Sequence, residues 1–98
     1  MNVLPKIQEF EWDSGNSQKN VLKHRVTNEE CEEAFFDPNK RIIRDIAHSH
    51  DEKRYVLFGK TKLGRLLFIV FTLRASKIRV ISARDLNKKE RKPYEKST

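Results

Sequence analysis

Alternation of apolar and polar residues predicts a series of β-strands in the second half of the chain. Four segments have strand length and carry this pattern or a short apolar run: RIIRDIA (41–47), KRYVLFGK (53–60), RLLFIVFTLR (65–74) and KIRVISAR (77–84). The connections at 61–64 and 75–76 have hairpin length, and the first of them carries a glycine. The four strands should therefore form an antiparallel meander.

The first half of the chain predicts one strand and two helices. IQEFEW (7–12) alternates apolar with polar residues, as a strand does. The segment 14–25 ends in helix formers and predicts a first helix. Thr27 and Glu30 have the spacing of a capping box, which predicts a second helix over 28–36.

A basic helix is predicted at the end of the chain. Asn87 and Glu90 repeat the capping-box spacing, and Pro93 should end or kink the helix before Tyr94. The predicted order is β-α-α-β-β-β-β-α, an α+β fold. The length suits a single domain over residues 1–98, with flexible ends at 1–6 and 96–98.

The tight turn at 75–76 predicts how the last two strands pair. If Arg74 pairs with Lys77, Thr72 lies opposite Arg79 and Val70 opposite Ile81. One face of the sheet is then mixed, apolar toward one end and basic toward the other, and it carries Tyr55, Leu57, Phe68, Val70, Thr72, Arg74, Lys77, Arg79 and Ile81. The opposite face is nearly all apolar and should pack on the helices; it carries Val56, Phe58, Leu67, Ile69, Phe71, Leu73, Ile78, Val80 and Ser82.

The net charge of the chain indicates which class of binding partner to expect. The 21 Lys and Arg exceed the 14 Asp and Glu, which gives a net charge of +7. This balance favours a polyanionic partner, with nucleic acid first and an anionic membrane or an acidic protein second. No apolar run approaches the roughly 20 residues of a membrane span. The single cysteine permits no internal disulfide, and a cytoplasmic location is expected.

The basic end of the mixed sheet face is the first candidate site. Arg74, Lys77 and Arg79 offer donors to phosphate groups, with Thr72 beside them, and Tyr55 offers a ring on which a base can stack. The alternative is a solvated face whose arginines are paired with carboxylates from elsewhere in the chain. The sequence pattern leaves both interpretations open.

Two histidine-containing segments are further candidates. His48, His50, Asp51 and Glu52 lie within five positions, so they suit metal binding, acid–base chemistry or simply a polar turn. No recognised metal-ligand spacing is present, and no metal is predicted. The dipeptide at 23–24 closes the first predicted helix, where cations favour the negative end of the helix dipole.

The order of several short motifs resembles a known family. The motifs are FEWD (10–13), KH (23–24), FFDP (35–38), HSxxExR (48–54), TLR (72–74), IRVISAR (78–84) and KKER (88–91). At this spacing, over about residues 10 to 95, the chain resembles the BrnT toxins of bacterial type II toxin–antitoxin systems.

The resemblance implies a RelE-like α+β fold and a metal-independent endoribonuclease that arrests growth without a cofactor. It also implies neutralisation by a BrnA-like antitoxin with a ribbon-helix-helix domain, expected as a two-plus-two complex that binds operator DNA through the antitoxin. Residues at family-motif positions are Lys23, His24, Glu52, Arg54, Thr72, Arg74, Arg79, Ser82 and Arg84.

Together with the charge pattern, the resemblance predicts a full set of site residues. The catalytic group is expected to be Glu52, Arg54, Arg74, Arg79 and Arg84. The RNA-binding group is expected to be Lys23, His24, His48, Tyr55, Thr72, Lys77 and Ser82. Two other classes stay open: a basic module that binds RNA or DNA without cutting it, and one that only binds a regulator protein.

Overall fold

Capping and strand patterns in the sequence become two helices and five strands in the computed structural model, which describes residues 9–16, 24–45 and 52–96. The elements are β1 (Glu9–Phe10), α1 (Asn28–Phe35), β2 (Arg41–Asp45), β3 (Arg54–Lys60), β4 (Leu66–Arg74), β5 (Lys77–Asp85) and α2 (Lys88–Lys96). Both predicted capping boxes are formed, at Thr27 with Glu30 and at Asn87 with Glu90. Within the described ranges, no helix is long and apolar enough to cross a membrane.

The strands form one mixed sheet in the order β1-β5-β4-β3-β2. Strands β2 to β5 are the predicted antiparallel meander, and the α+β class is confirmed. Strand β1 pairs in parallel with β5, with Glu9 opposite Lys77 and Phe10 opposite Ile78. This pairing joins the first strand of the described residues to the last strand.

The described part of the chain has two helices, where three were predicted. The first predicted helix covered 14–25; residues 14–16 form a turn, and residues 17–23 lie outside the described ranges. The turn forms because polar side chains bond to nearby backbone groups. The Asn16 side chain accepts the Asp13 N–H at 2.8 Å, and the Asp13 carboxylate accepts the Gly15 N–H at 2.8 Å. Such bonds compete with helix formation.

The loop between β3 and β4 is one residue longer than predicted, and this reverses the faces of β3. Residues 61–65 form the loop, closed by the Thr61 N–H donating to the Arg65 carbonyl at 2.9 Å, so Lys60 pairs with Leu66. A shift of one residue exchanges the two faces of a strand. The predicted faces of β3 are therefore wrong: Tyr55 and Leu57 lie on the face of Phe71, and Val56 and Phe58 on the opposite face.

A register shift between β4 and β5 makes the predicted pairing of Val70 with Ile81 wrong. Arg74 pairs with Lys77 and Thr72 with Arg79, as predicted. Beyond Phe71 an irregularity leaves Ile81 without an opposite residue, so Ser82 rather than Ile81 faces Val70. This is the effect of a β-bulge, which adds one residue to one strand. As a result Ala83 joins the core on the Phe71 face, and Arg84 lies opposite Phe68.

The sheet is covered by a helix on each face, and not on one face as predicted. On the first face α1 packs on the central strands through Ala34 and Phe35, and the Phe35 ring meets the Phe71 ring at 4.9 Å. On the second face a smaller cluster joins Leu86 and Tyr94 to side chains of β3 and β4. Burial of apolar area on both faces is the main stabilising term of this fold.

Helix α2 continues through Pro93 to Lys96, so of the two predicted effects of Pro93, an end or a kink before Tyr94, the end is wrong. Contacts with distant segments hold the last turn. The buried Tyr94 hydroxyl donates to Asp37 at 2.7 Å, and Arg41 donates to the Pro93 carbonyl at 3.1 Å. These bonds stabilise the last turn of α2, in which proline supplies no backbone N–H.

Arg65 joins three separated segments at the end of the sheet where β4 begins. Its guanidinium donates to Asp85 at 2.6 Å, to Glu30 at 3.2 Å, and to the carbonyls of Arg25 and His24 at 2.7 and 3.1 Å. These contacts hold the segment before α1, where Arg25 has a positive φ of 56°. The hydrogen bond from Arg65 lowers the pKa of Asp85.

Replacement of Phe71 by alanine should destabilise the fold strongly. Phe71 is fully buried between Phe35 and Tyr55. Truncation of such a side chain leaves a cavity and costs about 3–5 kcal/mol. Urea unfolding followed by circular dichroism measures the change. The control is Leu63→Ala, because Leu63 is 98% exposed and its loss should change stability by less than about 0.5 kcal/mol.

Acid should weaken the protein through the Arg65 contacts. For Glu30, burial opposes ionisation, but hydrogen bonds from Thr27 and Arg65 hold its pKa below the ordinary 4.5. The pKa of Asp85 is likewise below 3.8. Carboxylates with lowered pKa stabilise the fold above their ordinary pKa, and this stabilisation is lost as the pH falls through the folded value. Urea unfolding between pH 3 and 7 should show constant stability at neutral pH and a decline below about 4.5.

The variant Arg65→Met isolates this contribution. It should lower the free energy of unfolding at pH 7 by about 1–3 kcal/mol, because the partly buried carboxylates and carbonyls lose a donor. The free energy of unfolding of the variant should also decline less steeply in acid than that of the wild type. Equal acid dependence of the two proteins would contradict the assignment to Arg65.

Candidate active site

Three arginines converge at the end of the sheet where β4 finishes and β5 starts. They line a shallow cleft of about 210 Å³, here called the arginine cleft, whose lining residues are Gly15, Asn16, Glu52, Arg54, Thr72, Arg74, Arg79, Val80 and Ile81. Guanidinium groups bind phosphate oxygens in a planar, two-point geometry and keep their charge at any physiological pH. The cleft therefore has the chemistry of a phosphate-binding site.

Strand pairing places these side chains side by side. Thr72 is opposite Arg54 on one neighbouring strand and opposite Arg79 on the other, so the three residues form a row across β3, β4 and β5. Arg74 follows two residues after Thr72 and so points to the same side of the strand. Thr72 itself is buried, and its hydroxyl donates to the Lys53 carbonyl at 2.8 Å. A rigid sheet thus sets the spacing of the charged groups.

Glu52 is the carboxylate in direct contact with Arg74. Both its oxygens accept hydrogen bonds, from Nε and Nη2 of Arg74, at 2.8 Å each. The hydrogen bonds from Arg74 lower the pKa of Glu52 below its ordinary 4.5, and the nearby charges of Arg79 and Arg54 act in the same direction. The same contact raises the pKa of Arg74. Glu52 is therefore ionised at neutral pH.

Arg79 is held by two carboxylates, Glu11 and Asp13, which come just before the turn at residues 14–16. Its Nη1 and Nη2 donate to Asp13 at 2.7 and 3.2 Å, and Nη1 lies 3.6 Å from Glu11. Only 15% of the Arg79 side chain is exposed. The hydrogen bond from Arg79 is the main cause of the lowered pKa of Asp13. The two arginines of the TLR and IRVISAR segments thus have carboxylate partners within the chain.

Arg84 and Ser82 lie outside the arginine cleft. Arg79 lies opposite Thr72 and Arg84 opposite Phe68, four residues apart on β4, which is about 13 Å at the usual strand rise of about 3.3 Å per residue. Its guanidinium stacks 4.0 Å from the Phe68 ring centre and donates to both oxygens of Glu90, at 2.8 and 2.7 Å. These contacts fasten the start of α2 to the sheet.

Tyr55, Lys77 and His24 also lie apart from the cleft. The Tyr55 ring stacks on Phe71, on the face covered by α1, at a centroid distance of 5.5 Å. Lys77 is beside the 75–76 turn, with its Nζ 3.9 Å from Glu9. The His24 carbonyl is bound by Arg65, at the opposite end of β4 from Arg74. The remaining predicted side chains, at Lys23, His48, His50 and Asp51, lie outside the described ranges.

The two carboxylates of FEWD, Glu11 and Asp13, were not among the predicted site residues. In the structure this motif alternates: Phe10 and Trp12 pack toward α1, where the indole N–H donates to Glu32 at 2.8 Å, while Glu11 and Asp13 face Arg79. The alternation of the motif predicts two faces, but the partner of the acidic face depends on the parallel pairing of β1 with β5.

A larger groove lies between α1 and the β3–β4 loop. Its volume is about 520 Å³, and its lining residues are Glu29, Glu32, Glu33, Phe36, Asp37, Pro38, Lys60, Thr61 and Lys62. The carboxylates of α1 would repel the phosphates of RNA, so size alone does not identify the nucleic-acid site.

In the part of the chain that the structure describes, there is no cluster of metal-ligating side chains, and the one cysteine, Cys31, is buried. Across 9–16, 24–45 and 52–96, no three His, Cys, Asp or Glu side chains are grouped to hold a metal ion. The predicted metal alternative at His48, His50 and Asp51 falls outside those ranges. Burial raises the pKa of the Cys31 thiol to about 12, so Cys31 is not a thiolate nucleophile.

Comparison with known proteins identifies the family. No curated protein matches the chain. The family model for the ribonuclease toxin BrnT of type II toxin–antitoxin systems matches residues 12–90, most of the chain and all of the sheet from β2 to β5. The resemblance predicted from the short motifs is confirmed, and the chain belongs to the BrnT family of ribonuclease toxins of type II toxin–antitoxin systems.

Proposed function

We propose that this chain is a metal-independent endoribonuclease and that the arginine cleft is its active site. The observation that supports this most directly is the convergence of Arg54, Arg74 and Arg79 around Thr72 in one cleft. Family membership supplies the class of substrate, RNA. The arrangement of positive groups supplies the means to bind a phosphodiester and to stabilise the charge that develops when it is cleaved.

The reaction we propose is attack by the ribose 2′-hydroxyl on the adjacent phosphorus. A bond forms between the 2′-oxygen and phosphorus, and the bond from phosphorus to the 5′-oxygen breaks. The arginines donate hydrogen bonds to the non-bridging oxygens, where negative charge accumulates. The products are a 2′,3′-cyclic phosphate and a 5′-hydroxyl, which takes its proton from solvent.

Glu52 is the base in this proposal, and substrate binding activates it. In the free protein Glu52 shares two hydrogen bonds with Arg74, which weaken its basicity. A substrate phosphate competes for the same guanidinium. When the phosphate accepts the hydrogen bonds of Nε and Nη2 of Arg74, Glu52 loses its strongest pKa-lowering contact and can accept the 2′ proton. The exchange preserves charge balance, because one anion replaces another beside Arg74.

A protein antitoxin should inhibit this activity in the host cell. Membership in a type II system implies a protein antitoxin. We propose a BrnA-like partner with a ribbon-helix-helix domain that covers the arginine cleft, in a two-plus-two complex that binds operator DNA through the antitoxin. A RelE-like arrangement of the sheet and a cytoplasmic location belong to the same proposal. Its support is the resemblance of the motifs and the exposure of a basic cleft that must be blocked in the host cell.

Replacement of Arg79 by alanine should abolish cleavage without unfolding the protein. Removal of one donor to the developing charge typically lowers kcat by about 100- to 1,000-fold. The melting temperature should change little, because the carboxylates left behind can be solvated at the rim of the cleft. Gel assays on a labelled RNA measure the rate. Arg79→Lys, which keeps the charge but loses the fork, should restore only part of the activity.

The control for this prediction is Arg84→Ala. Arg84 is outside the cleft and binds Phe68 and Glu90, so its loss should lower the melting temperature and leave kcat of the folded protein unchanged. A loss of kcat in Arg84→Ala as large as in Arg79→Ala would contradict the assignment of the active site to the arginine cleft.

Removal of metal ions should not affect cleavage. In the proposed reaction the arginines stabilise the developing charge, Glu52 takes the 2′ proton and solvent protonates the 5′-oxygen, so no step needs a metal ion. RNA incubated with the protein in excess EDTA should therefore be cut at the same rate, with 2′,3′-cyclic phosphate ends detected by mass spectrometry. Loss of cleavage in EDTA and recovery with Mg²⁺ or Mn²⁺ would show that a metal takes part. RNA that is bound but never cut would favour the non-catalytic binding module.

A further inference from the structure

The polar turn at residues 13–16 is built closely around the Arg79 guanidinium. Asp13 accepts two hydrogen bonds from Arg79, at 2.7 and 3.2 Å, and one from the Gly15 N–H, at 2.8 Å. A Cβ atom at Gly15 would lie 3.1 Å from Nη2 of Arg79 and 3.1 Å from Oδ1 of Asp13. Contacts this short leave little room for any side chain at position 15. A residue with a Cβ at this position would require the Arg79 guanidinium or the Asp13 carboxylate to shift by a few tenths of an ångström.

A buried amide fixes this turn to the sheet. Asn16 is only 3% exposed, and its side chain accepts the Asp13 N–H and donates to the carbonyls of Glu11 and Val80, at 2.8, 2.9 and 3.0 Å. Val80 is the residue after Arg79 on β5. The backbone that carries Asp13 is therefore tied to the strand that carries Arg79, and the hydrogen bonds of the Asn16 side chain to both backbones hold Asp13 beside Arg79.

We infer that Asp13 is a positioning residue that holds Arg79 in the orientation needed to bind the scissile phosphate. This inference rests on the proposed function of the arginine cleft. Asp13 engages Nη1 and Nη2 of a guanidinium that has five N–H donors, so donors remain for a phosphate while the ion pair stays intact. Arg79 then differs from Arg74, whose pairing with Glu52 is broken by the substrate.

The geometry favours positioning over simple charge masking. A carboxylate that only masked Arg79 would need no fixed backbone, since a flexible acidic side chain neutralises a charge equally well. Here an amide that is almost fully buried and a close glycine contact hold the carboxylate in place. An arginine restrained before substrate arrives loses less conformational freedom on binding.

The test is a double-mutant cycle with Asp13→Asn and Arg79→Ala, measured by single-turnover cleavage of a short labelled RNA. Small misplacements of a catalytic group can cost on the order of 100-fold in rate, so Asp13→Asn should lower kcat roughly 10- to 100-fold and change KM by less than about threefold. The double variant should be no slower than Arg79→Ala alone, because Asp13 acts through Arg79. Asp13→Glu should recover part of the rate.

The matched control is Glu9→Gln. Glu9 is an exposed carboxylate on the same edge strand, paired with Lys77 outside the cleft, and its loss should leave kcat unchanged. Two results would overturn the inference. One is Asp13→Asn with unchanged kcat and tighter RNA binding, which indicates masking. The other is a double variant slowed by the full Asp13→Asn factor below Arg79→Ala, which indicates an independent role.

An NMR measurement separates this inference from the proposed function. In the free wild-type protein the Arg79 Nε–H signal, assigned by its loss in Arg79→Ala, should show restricted side-chain motion that Asp13→Asn removes and Glu9→Gln does not. If the wild type cuts no RNA, the proposed function fails and this measurement alone decides the role of Asp13. Equal Arg79 mobility in the wild type and Asp13→Asn then overturns the inference.

Discussion

Three arginines on adjacent strands repel one another, and the structure of the cleft depends on how this repulsion is offset. Arg54 and Arg79 flank Thr72 directly, and Arg74 lies one strand repeat away, so the sheet concentrates positive charge at one end. Each arginine raises the free energy of its neighbours: the hydrogen bond to Asp13 raises the pKa of Arg79, and the charge of Arg74 acts against this rise. Glu52, Glu11 and Asp13 offset this repulsion. The basic cleft is stable because acidic residues from distant parts of the chain surround it.

Much of the fold follows from local patterns, and the errors occur where two registers are equally apolar. The turn at 75–76 fixes the pairing of Arg74 with Lys77 and of Thr72 with Arg79. Beyond that point Ile81 is apolar, so the sequence gives no sign that it is an extra residue. In the β3–β4 hairpin either Val56 or Leu57 can face α1, because both are apolar. Only the hydrogen bonds of the 61–65 loop decide between them.

Local strand pairing also explains which residues of the candidate site were predicted correctly. Glu52, Arg54, Thr72, Arg74 and Arg79 come together as expected because the last strands are neighbours in sequence and pair as a meander. Tyr55 lies on the other face because of the hairpin register. Asp13 and Asn16 were missed because they reach Arg79 and Val80 through the parallel pairing of β1 with β5, which are far apart in sequence. Such a long-range pairing leaves no periodic signal in a single sequence.

The bond between Tyr94 and Asp37 gives the last residues of the chain an importance beyond their number. Tyr94 closes the cluster of Val56, Phe58 and Leu86 on the second face of the sheet, and its hydroxyl anchors α2 at the end of α1. A premature stop codon just before Tyr94 would remove no residue of the arginine cleft, yet it would open that cluster to water. A truncation at that point would thus destabilise the fold, while every residue of the arginine cleft is still encoded.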